Sequence, residues 1–177
     1  MARERLRRRY RPDRVRILFA GEAPPASGRF FYQADSGLYR AIRDVFVETF
    51  PDVATGDFLK VFQEMGCYLI DVCGKPVDRM APGQRKRICR EGETRLTTRL
   101  KQLRPKIVIT VVRSISGNVK RSERRAEWLG KHIELPYPGR WHRYRQVFLE
   151  GLTSVLRETY GRRRAVHDPE RRGPRSG

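Results

Sequence analysis

Apolar residues in this chain gather in a few short runs, and between those runs they recur at helical spacing. Val15–Gly21 (VRILFAG), Cys67–Cys73 (CYLIDVC) and Lys106–Val112 (KIVITVV) are near-continuous apolar stretches bounded by turn residues. Runs of this kind suit strands buried on both faces of a parallel sheet. His132–Leu135 is a candidate short last strand. Leu38, Ile42, Val45 and Phe46 fall at helical spacing behind Asp35 or Ser36, either of which can cap the helix. Asp57–Met65 predicts a second short helix. Gln84–Arg104 predicts a long, basic one, with Ile88, Leu96, Leu100 and Leu103 toward the core, Gly92 as a weak spot and Pro105 as its stop. Ser114–Trp128 is a further helix. Trp141, Tyr144, Val147, Phe148, Leu152, Val155 and Leu156 form an amphipathic stripe on the last one. Strands alternating with helices predict an α/β fold, a three-layer α/β/α sandwich around a short, mostly parallel sheet. In such sheets the ligand crevice lies beyond the carboxyl ends of the strands. Glu22, Asp71, Arg113 and Tyr137 each fall at or just past such an end.

Charge narrows the partner. The 177 residues hold 39 Lys+Arg against 20 Asp+Glu, a formal net charge of +19. Folding does not need such a charge, and self-repulsion opposes compactness, so an acidic polymer, above all nucleic acid, is the expected partner. The charge is uneven: residues 1–16 hold eight Arg against Glu4 and Asp13, and residues 161–177 hold six Arg against Asp168 and Glu170. The expected organisation is a basic arm over residues 1–14, one domain over 15–160 and a basic, disordered tail over 161–177. No apolar run approaches the roughly 18 residues of a membrane span. No signal core opens the chain. A cytoplasmic, nucleoid-associated monomer without a membrane role is expected. Cys67, Cys73 and Cys89 form no paired motif, and the three His are scattered, so neither cofactor nor metal is expected.

The stretch Ile17–Ile42, ILFAGEAPPASGRFFYQADSGLYRAI, sets a lone Glu22, two prolines and three successive aromatics at the mouth of the first strand. It resembles the Gly-Glu-Ala-Pro-Gly loop of the iron–sulfur-containing members of the uracil-DNA glycosylase superfamily. CYLIDVCGKPV, RPKIVITVVRSISGNV and LPYPGRWHRYR are similar to that family's second strand, its Pro-Lys-strand-helix segment and its final Leu-Pro-His-Pro-Ser-Gly loop. The resemblance spans about Ile17 to Leu156. It implies a DNA glycosylase that hydrolyses the N-glycosidic bond of a flipped base, with DNA, single- or double-stranded, as partner. Glu22 then serves the water or the sugar cation, and Phe31 stacks on the flipped base beside Ala23. Departures accompany the likeness. Pro25 replaces a Gly, Asp71 stands where the family has a base-reading Asn, and Tyr137 stands where it has His. Three cysteines cannot supply a four-thiolate cluster.

The chemistry asks for these residue types. Cleavage makes the sugar cationic and the leaving base anionic, so a carboxylate below the sugar and a donor near the base lower the barrier. Glu22 is the candidate carboxylate; Tyr137, or His142 nearby, is the candidate donor. Asp71 either pairs with an arginine or faces the base, where it only accepts hydrogen bonds and suits exocyclic amino groups. The Phe30-Phe31-Tyr32 run contributes at least one ring to ordinary packing. Ser27, Arg29, Arg113, Gly139, Arg140 and Arg143 are candidate DNA contacts, Gly139 and Arg140 through a loop that can present N–H groups to phosphate. The competing function is a nucleic-acid-binding member of the same fold without catalysis.

Overall fold

A computed structural model describes residues 2–51, 53, 57–139 and 141–161. Four short strands, β1 (Ile17–Gly21), β2 (Cys67–Asp71), β3 (Ile107–Thr110) and β4 (Lys131–Glu134), form one parallel sheet in the order β2-β1-β3-β4. The helices are α1 (Ala2–Arg9), α2 (Gly37–Thr49), α3 (Phe58–Glu64), α4 (Pro82–Leu103), α5 (Ser116–Ala126) and α6 (His142–Tyr160). The fold is therefore α/β.

The three apolar runs form three adjacent strands, two of them inner. β1 and β3 lie between neighbours and every residue in them is buried, so no polar face was available. β4 is an edge strand, and Lys131 and Glu134 are exposed at its ends, Lys131 pairing with Glu158 of α6 at 2.6 Å. Charged ends suit an edge that must not recruit another strand. β2 is the other edge. Its outward main-chain groups at Leu69 are met by one side chain: Tyr32 Oη accepts from the Leu69 N–H (2.8 Å) and donates to the Leu69 carbonyl (3.1 Å). Burial outweighs the lowering effects of the Leu69 hydrogen bond and the Arg7 charge and pushes the Tyr32 phenol well up, so it stays a neutral donor and acceptor.

Ser36, one of the two candidate caps, begins α2, its hydroxyl accepting from the Tyr39 N–H at 3.1 Å. α4 packs on α5, and α2 packs on α6. Gly92 sits where α4 crosses the chain leaving β2. A Cβ there would lie 2.2 Å from the Val72 carbonyl oxygen, so the weak spot in the helix is what permits its close approach.

Two expectations are corrected. The basic N-terminal segment is not a solvated arm: residues 2–9 form α1. Leu6 and Tyr10 pack against the core, and the Tyr10 ring stacks on Tyr32 at 5.8 Å and 12°. The stripe on α6 is buried only from Phe148 onward; Trp141, Tyr144 and Val147 are exposed. The tail from residue 162, expected to be disordered, lies outside the described residues.

Candidate functional site

The loops after β1 and β3 leave the sheet in opposite directions, which opens a crevice at their carboxyl ends. A cavity of about 260 Å³ occupies it. Gly21, Glu22 and Ala23 line it from β1, Asp71 from β2, Val111 and Val112 from β3, and Tyr137 from the loop after β4. Main-chain bonds continue past the strand ends and fix these exits: Cys73 N–H to the Glu22 carbonyl at 2.7 Å, and Leu135 N–H to the Thr110 carbonyl at 2.8 Å.

The loop that follows Glu22 folds back over the crevice. Gly28 takes φ +88°, a left-handed conformation that costs glycine little. The Asp78 carboxylate accepts from Ala26 N–H, and Asp35 Oδ1 accepts from Phe30 N–H at 2.7 Å. This brings Phe30 and Phe31 against the cavity. Phe31 is not a free stacking platform. It is 3% exposed and held by the rings of Tyr32, Phe62 and Tyr39 at 5.1, 5.2 and 5.7 Å. It supplies one wall, with the ring fixed by its neighbours.

Both candidate carboxylates have arginine partners that the sequence pattern does not announce. Glu22 is held by a two-pronged contact from Arg85 of α4: Nε donates to Oε1 at 2.7 Å and Nη2 to Oε2. Ser114 Oγ lies 3.4 Å from the same Oε1. Asp71 accepts from Arg7 Nη2 at 2.6 Å and its side chain is 9% exposed. Burial pushes the Asp71 carboxyl up, against the lowering effect of the Arg7 and Arg95 charges. Of the two readings open for Asp71, the arginine partner is present. Its carboxylate still borders the cavity.

Tyr137 stands at the mouth, 47% exposed. Burial of the phenol raises its pKa, outweighing the nearby Arg40 charge, so it is a neutral O–H donor at physiological pH. His142 is exposed at the first position of α6 and is not among the residues lining the cavity. Ser27 and Arg29, on the loop after β1, and Arg113, next to Val112 of the cavity wall, are exposed; Arg143 is exposed on α6, which contributes no residue to the cavity lining. Gly139 is a weaker candidate than its loop suggested, because its N–H is spent on the Tyr137 carbonyl at 2.8 Å. Arg140 lies outside the described residues.

Cys73 and Cys89 meet beneath Glu22, with Sγ atoms 2.8 Å apart. Burial raises both thiols, and it pushes Cys67 up to about 12 at the far end of β2. Protonated, enclosed thiols are poor nucleophiles. Among the described residues no group of three or more His, Cys, Asp or Glu is placed to hold a metal ion. Comparison of the chain with protein-family models and with curated proteins finds no match to either.

Proposed function

We propose that the protein is a DNA glycosylase of the uracil-DNA glycosylase type. On this reading it binds DNA, takes a damaged or modified base (uracil or another deaminated base) into the cavity, and hydrolyses its N-glycosidic bond. One observation carries the proposal: Glu22, Phe31, Asp71 and Tyr137, from three separate segments, border a single cavity at the carboxyl edge of a parallel sheet. The helix pairs α4–α5 and α2–α6 are compatible with the three-layer sandwich that the resemblance implies. A mostly apolar pocket with a few polar groups suits a flat base removed from its stack.

The roles follow from the geometry. A carboxylate offers about four lone-pair sites, and the Arg85 contact uses one on each oxygen of Glu22. The remainder can orient water or face a cationic sugar. The Tyr137 O–H can donate to the anionic leaving base. Exposed Arg29, Arg113 and Arg143 suit flanking phosphates, with Tyr137, Trp141 and Tyr144 offering ring faces to unpaired bases. A nucleoid location in the cytoplasm follows from the same reading. Among the described residues no helix is long and apolar enough to cross a membrane.

The Glu22–Arg85 pair favours a second reading, binding without cleavage, because a guanidinium already neutralises the charge that would stabilise the sugar cation. The two separate on a panel of single- and double-stranded oligonucleotides carrying uracil, hypoxanthine, xanthine, mismatched thymine and alkylated bases, scored for abasic sites. Cleavage that falls about 10²–10⁴-fold in Glu22→Gln, with DNA affinity retained, supports catalysis. A protein inert on the whole panel that still binds the oligonucleotides supports the second reading. No binding even at low salt defeats both.

A further inference from the structure

Asp71 and Pro24 also border a second cavity. It is the larger, about 670 Å³, and it lies between α1, the end of β2 and α4. Its walls hold five arginines, Arg3, Arg7 and Arg8 from α1 and Arg95 and Arg99 from α4, against two carboxylates, Glu4 and Asp71. Three positive charges are therefore left over in a recessed space.

Arg7, Arg95 and Arg99 are anchored by hydrogen bonds, and Arg8 lies near Glu4. Glu4 binds Arg7 through Oε2 at 2.6 Å, and its Oε1 lies 3.2 Å from Arg99 Nη2 and 3.8 Å from Arg8 Nε. Asp71 holds the far side of Arg7 at 2.6 Å. Arg95 Nη2 donates to the carbonyls of Asp71 (2.8 Å) and Val72 (3.0 Å). Gly74 makes room for it: a Cβ there would lie 2.8 Å from Arg95 Nη1. Each guanidinium has five N–H donors, and these anchors use one or two. The Arg7 Nε is buried with no hydrogen-bond partner. A merely solvated basic face needs none of this. Planar, preorganised forks converging on a cavity match the oxygens of phosphate, which arginine binds in pairs of parallel bonds.

We propose that this cavity binds two or more adjacent phosphates. They belong either to a free nucleotide or polyphosphate, or to a nucleic-acid strand end. None of these five arginines itself lines the smaller cavity; Asp71, which Arg7 and Arg95 contact, borders both.

Titration calorimetry of the full chain with sodium tripolyphosphate, at fixed ionic strength, tests it. The expected result is one saturable site per chain. Arg8→Ala and Arg95→Ala should each weaken it at least tenfold, and Arg124→Ala, an exposed change on α5, should leave it unaltered. The Arg8 side chain is 71% exposed, so its removal keeps the fold even if Arg95→Ala does not. The source is then identified by competition. Displacement by ATP assigns the site to free nucleotides, and displacement by a 5′-phosphorylated single-stranded oligonucleotide assigns it to strand ends. Displacement by neither overturns the proposal. So does unsaturable binding, or a loss in Arg124→Ala equal to that in Arg8→Ala.

Discussion

At the scale of single residues, Asp71 shows how one side chain can serve two structures. It closes β2, borders both cavities and neutralises Arg7 from α1, 64 positions away in sequence. Removing one member of a buried ion pair leaves the other charge uncompensated, which is costlier than never having had the pair. Asp71→Asn should therefore lower unfolding stability by about 3 kcal/mol in a denaturant titration. In a double-mutant cycle with Arg7→Met, the loss for the double variant should be smaller than the sum of the two single losses. Additive losses would mean that the contact carries no coupling and that Asp71 is held for its cavity alone. Glu22 differs. Its partner Arg85 is 39% exposed at the side chain, so water can replace the contact, and changes there should register in function before stability.

At the scale of elements, what was legible is what burial dictates locally. β1 and β3 were visible because a strand covered on both faces can only be apolar, and Ser36 was visible because capping is a short-range geometry. α1 was hidden: Leu6, with Tyr10 just after the helix, makes its few apolar contacts, and its docking depends on ion pairs with Asp71 and Arg99 that no local pattern reveals. Arg85 was hidden likewise, in a helix whose many charges read as solvated. The α4–α5 contact adds a buried polar case. Glu93, fully buried, accepts from Asn118 (2.8 Å) and pairs with Arg121 (2.7 Å) and Arg125 (3.0 Å). Burial alone would raise its carboxyl. The hydrogen bonds from Arg121 and Asn118 and the two arginine charges outweigh that and hold it below the ordinary 4.5. A depressed folded value stabilises fully above the unfolded one and is lost as pH falls through the folded one. Unfolding titrations should thus show Glu93→Gln costing about 3 kcal/mol at pH 7 and progressively less below about pH 4.5. A gap between the two proteins that stays constant with pH would remove the linkage. One residue earlier, Gly92→Ala should destabilise rather than improve the helix. Its Cβ collides with the Val72 carbonyl, and overpacking of this kind costs about 1–3 kcal/mol against the few tenths to 1 kcal/mol that alanine gains by propensity. A rise in thermal midpoint would show that α4 shifts freely off β2.

At the scale of the molecule, the question is what a net charge of +19 is for. Part of it is structural. Arg7, Arg85, Arg95, Arg99 and Arg121 hold carboxylates or main-chain carbonyls and cannot be counted as a solvated coat. α1, for all its arginines, is one of the packed elements, so truncating residues 1–14 would expose Tyr32 and strand Asp71 and would confound any binding measurement. The six arginines of residues 161–177 can be removed without cutting into α6 at all, if the chain is ended after Gly161. Each phosphate neutralised on duplex DNA contributes about 0.9 to the slope of log affinity against log salt. The chain ended at Gly161 should bind duplex DNA more weakly than the full chain and with a smaller slope. A clear slope should remain, because Arg29, Arg113 and Arg143 stay exposed on the folded body. Fluorescence anisotropy with a labelled duplex between about 50 and 200 mM salt measures both chains on one scale. A shortened chain with no salt dependence would place all DNA contact in the tail, and the folded body would then have no claim on nucleic acid. An undiminished slope would mean that the tail contributes no phosphate contacts and that the body alone meets the strand.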